Sequence, residues 1–243
     1  MNATTWTPPA DPNPQDILQT ARGDTNSGAY EDALVKFLWF HEHALQIDPG
    51  LTGVRLSFAV SYWLKLARVY PPALEAFFRT RDQAETAFRE GPADFDLFAE
   101  IAALNEYVGQ RVRTADLFEE VANTNPAGAQ RIYHVAERSL VADRRYKTCG
   151  PFLRPQKRMA LAAEQYHSMR QFEDSRPETK YPPPKVARKF YVQDVATLIA
   201  LLVINGQNEE ARHAYHEGLS VVNDFEFQAV LDAAVRGELP YVE

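Results

Sequence analysis

The sequence predicts an all-α protein of about ten helices, joined by short breaks that make successive helices antiparallel pairs. Three observations carry this reading. Apolar residues recur at helical spacing along nearly every segment after residue 14. Prolines fall almost wholly between those segments, where the missing N–H costs no helical hydrogen bond. No stretch competes with the period-two alternation of a strand.

A first short helix is expected near 15–22, after a proline-rich arm, 1–14, that is weakly ordered. The second covers 29–47. Ala33 and Phe37 stand four apart and share a face, so Ala33 allows close backbone approach while Phe37 fills the groove beside it. Gly28 stops the preceding helix. Asp48-Pro49 ends the second one, because the residue before proline is pushed out of the α region. The third, 52–69, carries Val54, Phe58, Tyr62, Trp63 and Leu66, and reads as a central helix that is apolar on most sides.

Pro71 and Pro72 stop it, and Pro72 suits the first turn of a fourth helix, 72–90. Gly91-Pro92 separates a fifth, 93–108, which Gly109 ends before a sixth, 111–123. Asn125-Pro126 is a start signal, Asn as cap and Pro in the first turn, for a seventh at 127–141. Residues 143–155 read as a polar, basic connector. An eighth helix, 156–173, precedes a second break, 174–184, that ends Tyr181-Pro182-Pro183-Pro184. The ninth and tenth are 185–204 and 208–222, and a short last helix covers 225–236.

Three segments repeat one pattern. The first runs Gly28, Tyr30, Ala33, Leu34, Phe37, then Ala44, Leu45 and Pro49. The second runs Phe98, Ile101, Ala102, then Phe118, Val121 and Pro126, with Thr114 beside Ala115 where an alanine is usual. The third runs Val195, Leu198, Ile199, Leu202, Gly206, Ala211, Tyr215, Gly218 and Leu219. The pattern resembles the tetratricopeptide repeat, in which a glycine, aromatics, alanine–leucine pairs and a closing proline define stacked helix pairs. The Ala44-Leu45 pair comes late by about one helical turn, so the repeats are irregular. The resemblance implies a single α-solenoid domain over 15–243. It also implies adaptor or scaffold work, with a peptide or helix of another protein lying in the groove of the array. A non-repeating all-α domain with the same hairpin packing is the alternative architecture.

The composition narrows the function classes. A formal charge of −7 argues against general nucleic-acid binding but permits a local basic face. Cys149 is the one cysteine, so no internal disulfide exists, and its turn-rich setting suits a structural thiol. The first 14 residues carry no basic region and no apolar run, unlike a secretory signal. The longest apolar run, Val195 to Ile204, is too short to span a bilayer. The expectation is a soluble, cytoplasmic protein.

No phosphate-binding glycine loop, nucleophile elbow or HExxH motif is present, so no enzymatic activity and no cofactor or metal are expected. Two Glu-x-x-His elements, Glu164/His167 and Glu210/His213, match the ligand spacing of di-metal oxidases built on ferritin-like bundles. Helical angles oppose that use. His213 falls about 200° from the Ala211–Tyr215–Gly218 face, and Glu164 about 140° from a face marked by Met159, Ala163 and Tyr166. His41 and His43 point apart on one helix and cannot chelate one ion together. Asp94 and Asp96 read as favourable charge in a first helical turn.

Charge asymmetry is the main signal outside packing. Residues 144–189 hold twelve of the 26 basic residues and four acids. Gathered on one face, such cations would hold an acidic peptide, a phosphate group or a nucleic-acid backbone. The other reading docks this basic half on the acidic half of the same chain or of a second copy in a homodimer. The candidate partner-binding residues are Arg144, Arg145, Lys147, Arg154, Lys157, Arg158, Lys185, Arg188 and Lys189, with Glu106 and Tyr107 on the inner surface of the second repeat. Tyr181–Pro184 is a stiff connector, or else a polyproline ligand.

Overall fold

The computed structural model describes residues 6–176 and 185–240. The described residues are helical throughout, with no strand among them, and neighbouring helices pack in pairs. The helices are α1 (Pro14–Ser27), α2 (Tyr30–Ile47), α3 (52–67), α4 (Pro71–Glu90), α5 (Phe95–Tyr107), α6 (Arg111–Thr124), α7 (Pro126–Ala142), the single turn α8 (Tyr146–Cys149), α9 (Pro155–Asp174), α10 (Ala187–Ile204), α11 (Asn208–Val221) and α12 (Phe225–Ala234). Two compact units divide the chain, 1–136 and 137–243.

Local chemistry sets the ends. Asn13, Asp94 and Asp224 cap α1, α5 and α12, their side chains accepting from backbone N–H groups of the first turn. Asn125 does the same for α7 through the N–H of Gly128. Gly28 ends α1 at φ +87°, and the next N–H, of Ala29, reaches back to the Asp24 carbonyl. Gly109 and Gly206 close α5 and α10 in the same way. Arg144 occupies the equivalent position after α7 at φ +59°, with Arg145 N–H bonded to the Leu140 carbonyl. A side chain in that left-handed region is strained where glycine would not be.

In the first unit, α1 packs along α2, α3 packs on both α2 and α4, α4 on α5, and α5 on α6. Helix α5 also touches α3, and α1 touches α3, so first helices of successive pairs meet each other. Trp63 of α3 is the centre of this core. Its ring lies edge-on to Phe77 at 5.5 Å, and its indole N–H donates to the Ala73 carbonyl at 3.0 Å. Ala33, Phe37, Phe40 and Ala44 of α2 surround it in one cluster.

Helix α3 is not the evenly apolar rod expected. Its buried stripe is Ala59, Val60, Trp63 and Leu66. Phe58 falls about 130° from the centre of that stripe at 100° per residue, and it is 61% exposed. The middle of α3, Arg55–Ala59, is a π-helical turn. Part of the arm is also packed, since Trp6 meets Trp39 edge-on at 6.4 Å.

The second unit is organised around α10, which contacts α8, α9, α11 and α12 and is buried continuously from Val195 to Leu202. Here is the helix that is apolar all round. Gly218 of α11 sits so close that a Cβ there would come 3.0 Å from Val195. Tyr191 donates its hydroxyl to the Gly218 carbonyl at 3.3 Å. The 143–155 connector differs from expectation. It holds α8 and a 3-10 turn, Gly150–Phe152, and buries Cys149, Gly150, Phe152 and Leu153. Cys149, Phe152 and Leu153, one to four residues apart, pack this stretch although charged residues stand out in its composition.

All three tryptophans lie in the first unit, so their fluorescence reports on that unit alone. Phe77→Ala is expected to destabilise the first unit by about 3–5 kcal/mol, read as a lower urea midpoint of tryptophan fluorescence. Gly218→Val is expected to loosen α10 against α11, read as faster amide hydrogen exchange along Val195–Leu202 with the fluorescence transition unchanged.

Candidate functional site

The basic segment is largely neutralised inside its own unit. Residues 137–243 hold 15 basic and 15 acidic side chains, whereas residues 1–136 hold 11 and 18. Arg158 sits between Glu137, at 2.5 Å, and Asp194, whose carboxylate also accepts from Nε at 2.9 Å. Arg188 grips Asp224 with two N–H groups and reaches Glu226 at 3.2 Å. That contact holds the Asp224 carboxyl below the usual range and so fixes the cap of α12. Lys185 pairs with Asp174 at 3.1 Å and Arg145 with Asp143 at 2.7 Å.

Lys147 donates to the carbonyl of Ile204 at the end of α10, and Arg154 donates to the carbonyls of Pro151 and Leu153. Arg144, Lys157 and Lys189 are exposed and make no ion pair among the described residues. Of the nine basic candidates, those three are the ones left facing solvent without a local partner. Glu106 pairs with Arg111 across the Gly109 turn, while Tyr107 is 41% exposed. Lys180 and Tyr181–Pro184 lie outside the described residues.

The first unit holds a constellation with almost no sequence signature. His41 is buried on α2, Arg55 lies in the π-helical turn and Glu100 projects from α5. Glu100 accepts from His41 Nε2 at 2.8 Å through one oxygen and from Arg55 Nη2 at 2.7 Å through the other. Arg55 Nε donates to the His41 carbonyl at 2.7 Å. Burial alone would raise the Glu100 carboxyl, but its hydrogen bonds and electrostatic interactions with His41 and Arg55 outweigh it and hold the carboxyl below its ordinary range. His43 points away from His41 and is half-buried, its ring 5.4 Å from that of Trp39.

Above this triad lies an aromatic and cationic surface. Phe58 stacks on Tyr62 with centroids 6.5 Å apart. The Arg22 guanidinium lies 4.1 Å from the centre of the Tyr62 ring and the Lys65 ammonium 5.4 Å from it. The i, i+4 spacing of Phe58 and Tyr62 and the i+3 position of Lys65 were legible on one helix. Arg22 comes from α1, and nothing in the sequence points it there.

The motif candidates are placed as follows. Glu164 and His167 are exposed on α9, and His213 is exposed on α11. His213 lines a surface groove of about 220 Å³ with Glu209, Glu210 and Glu217, away from Glu164 and His167. Among the described residues, no group of three or more His, Cys, Asp or Glu side chains is placed to hold a metal ion. Asp94 serves as the cap of α5, accepting from Leu97 N–H at 2.8 Å. No helix among the described residues is long and apolar enough to cross a membrane.

Two outcomes follow from these ion pairs. Arg158→Ala is expected to cost the second unit about 2–3 kcal/mol, below a fully buried pair because Asp194 is partly exposed, while Lys157→Ala stays within about 0.5 kcal/mol. Hydrogen exchange of Ala187–Ile204 measures the difference. For Glu100, a folded pKa below the unfolded one makes its contribution full above the unfolded carboxyl value, near pH ~4.3, and lost as pH falls through the folded value. Glu100→Gln is therefore expected to lower the urea midpoint at neutral pH and to converge on the parent protein in acid.

Among known proteins, no family model matches the chain and no curated protein matches it. A solved structure from Bacteroides ovatus ATCC 8483, named as a candidate protein-binding protein, is 14% identical and aligns over 93% of this chain and 97% of its own, with a TM-score of 0.21. A likeness at that score carries no argument about fold or role.

Proposed function

We propose that this chain is a non-enzymatic helical module that binds another polypeptide, built from irregular helix pairs of the tetratricopeptide type. The observation that carries the reading is the packing in the first unit. There α1 meets α3 and α3 meets α5, in addition to each helix meeting the next. Contacts between first helices of successive pairs are the arrangement by which hairpin repeats stack and leave a surface lined by alternate helices. Small residues at the crossings, Ala33, Ala76, Ala115 and Ala211, support it, because they let helix axes approach.

The occupant of such a surface is a peptide or helix. Exposed, unpaired cations at Arg144, Lys157 and Lys189 favour an acidic one. Work of this kind suits an adaptor or scaffold in the cytoplasm, and no cofactor enters it.

The test is affinity capture on the immobilised full chain from nuclease-treated lysate, with free chain as competitor and mass spectrometry as readout. A saturable, competable polypeptide is expected. Replacing Arg144 by Gly with Lys157→Glu and Lys189→Glu is expected to reduce capture a few-fold and to steepen no unfolding transition, since Arg144→Gly relieves a left-handed residue. Capture that yields nucleic acid alone, or no competable protein, would end the reading.

A further inference from the structure

Five of the nine arginines of the first unit are paired with carboxylates. Arg55, Arg81, Arg89, Arg111 and Arg113 each contact an acid within 4.0 Å. Arg22 belongs to the remainder, and it shares one aromatic ring with Lys65. Both lie on the Tyr62 ring, and neither has a carboxylate partner among the described residues. Arg22 makes one neutral hydrogen bond, to Gln19 at 2.7 Å. Two cations are thus held over one aromatic ring without countercharge, on a unit with seven more acids than bases.

Phe58 extends the same surface and is 61% exposed. The turn that carries Phe58 is tied down by hydrogen bonds. Arg55 belongs to the same π-helical turn as Phe58 and is tied to α2 and α5 by His41 and Glu100. A π-turn within an α-helix is rare and recurs at functional sites. A preorganised aromatic face keeps down the ordering cost of binding.

We propose that Phe58, Tyr62, Arg22 and Lys65 form the docking face of the module, and that its occupant is an acidic peptide carrying an apolar side chain between carboxylates. This rests on the polypeptide-binding reading above and names the partner chemistry. The apolar side chain covers Phe58. One carboxylate takes the free edge of the Arg22 guanidinium while its face stays on Tyr62, and a second reaches Lys65. Both contacts are short-ranged at physiological salt, so the local cations act on the peptide more strongly than the distant acids of the unit. Burial of Phe58 against a partner and fork-type recognition by Arg22 make these two the anchors.

The experiment selects a random-peptide phage library on the full chain, then measures the best peptide, synthesised with a fluorescent label, by anisotropy against the parent, Phe58→Ala and the double variant Arg22→Gln with Lys65→Gln. Tryptophan fluorescence in urea confirms that each variant folds. Expected are peptides with aspartate or glutamate flanking a leucine, isoleucine, phenylalanine or tryptophan. Binding should fall by about ten-fold or more in each variant, and the double variant should lose most of the salt dependence. Peptides that bind both variants like the parent, or that lack acids, overturn this face while leaving a polypeptide-binding module standing. A library that enriches nothing counts against both.

Discussion

The structure depends on how closely one helix can lie against the next. At Gly218 an added methyl group would press on the Val195 side chain at 3.0 Å, so one of the two must give way. Alanines at positions 33, 44, 76, 115, 136 and 211 lie at other crossings and are fully buried. Interiors packed at crystal-like density do not absorb an extra methylene without displacement. Large side chains therefore collect in the gaps between crossings. Trp63 and Phe77 fill one such gap in the first unit, and Tyr191 and Phe227 fill one in the second, 5.8 Å apart.

Charge plays a second role that follows from this packing. Once helices lie close, their polar edges meet, and side chains far apart in sequence neutralise one another. Arg158 with Glu137 and Asp194 ties three positions of the second unit together. Glu173 accepts from the N–H groups of Val186 and Ala187, so one helix supplies the cap of the next. In the first unit Glu85, nearly buried, collects Arg113 and Arg89 and lies beside the buried Asn105. Breaking a pair of this kind leaves the other charge poorly solvated, so these residues hold the fold whatever else they touch.

This internal pairing leaves some charged groups over. In the second unit that is a few exposed lysines and Arg144. In the first it is a cationic aromatic face supported by the His41–Arg55–Glu100 triad. Among the described residues the buried ionisable groups Lys36, His41, Arg81, Glu85 and Glu173 are each hydrogen-bonded to a partner.

The sequence by itself determined the helices, because their signals are local. Proline, glycine and asparagine at 28, 71, 109, 125, 126 and 206 act within a turn or two, and the expected ends lie within a few residues of those observed for every helix but the first, which runs on to Ser27. The exposure of His213 followed from its helical angle alone, whereas Asp94, expected as favourable charge in a first turn, is the cap of α5. Tertiary structure decided the rest. The twelve basic residues of 144–189 form a run in sequence, yet Arg158 and Arg188 take their partners, Glu137, Asp194, Asp224 and Glu226, from other helices. Within the 143–155 connector α8 packs on α10 and Cys149, Gly150, Phe152 and Leu153 are buried, and no composition rule registers that neighbour. Arg22 reaches Tyr62 only because α1 crosses α3. Hydrogen-bond caps and turns are short-range and written in adjacent residues. Ion pairs and ring contacts between helices depend on where whole helices come to rest.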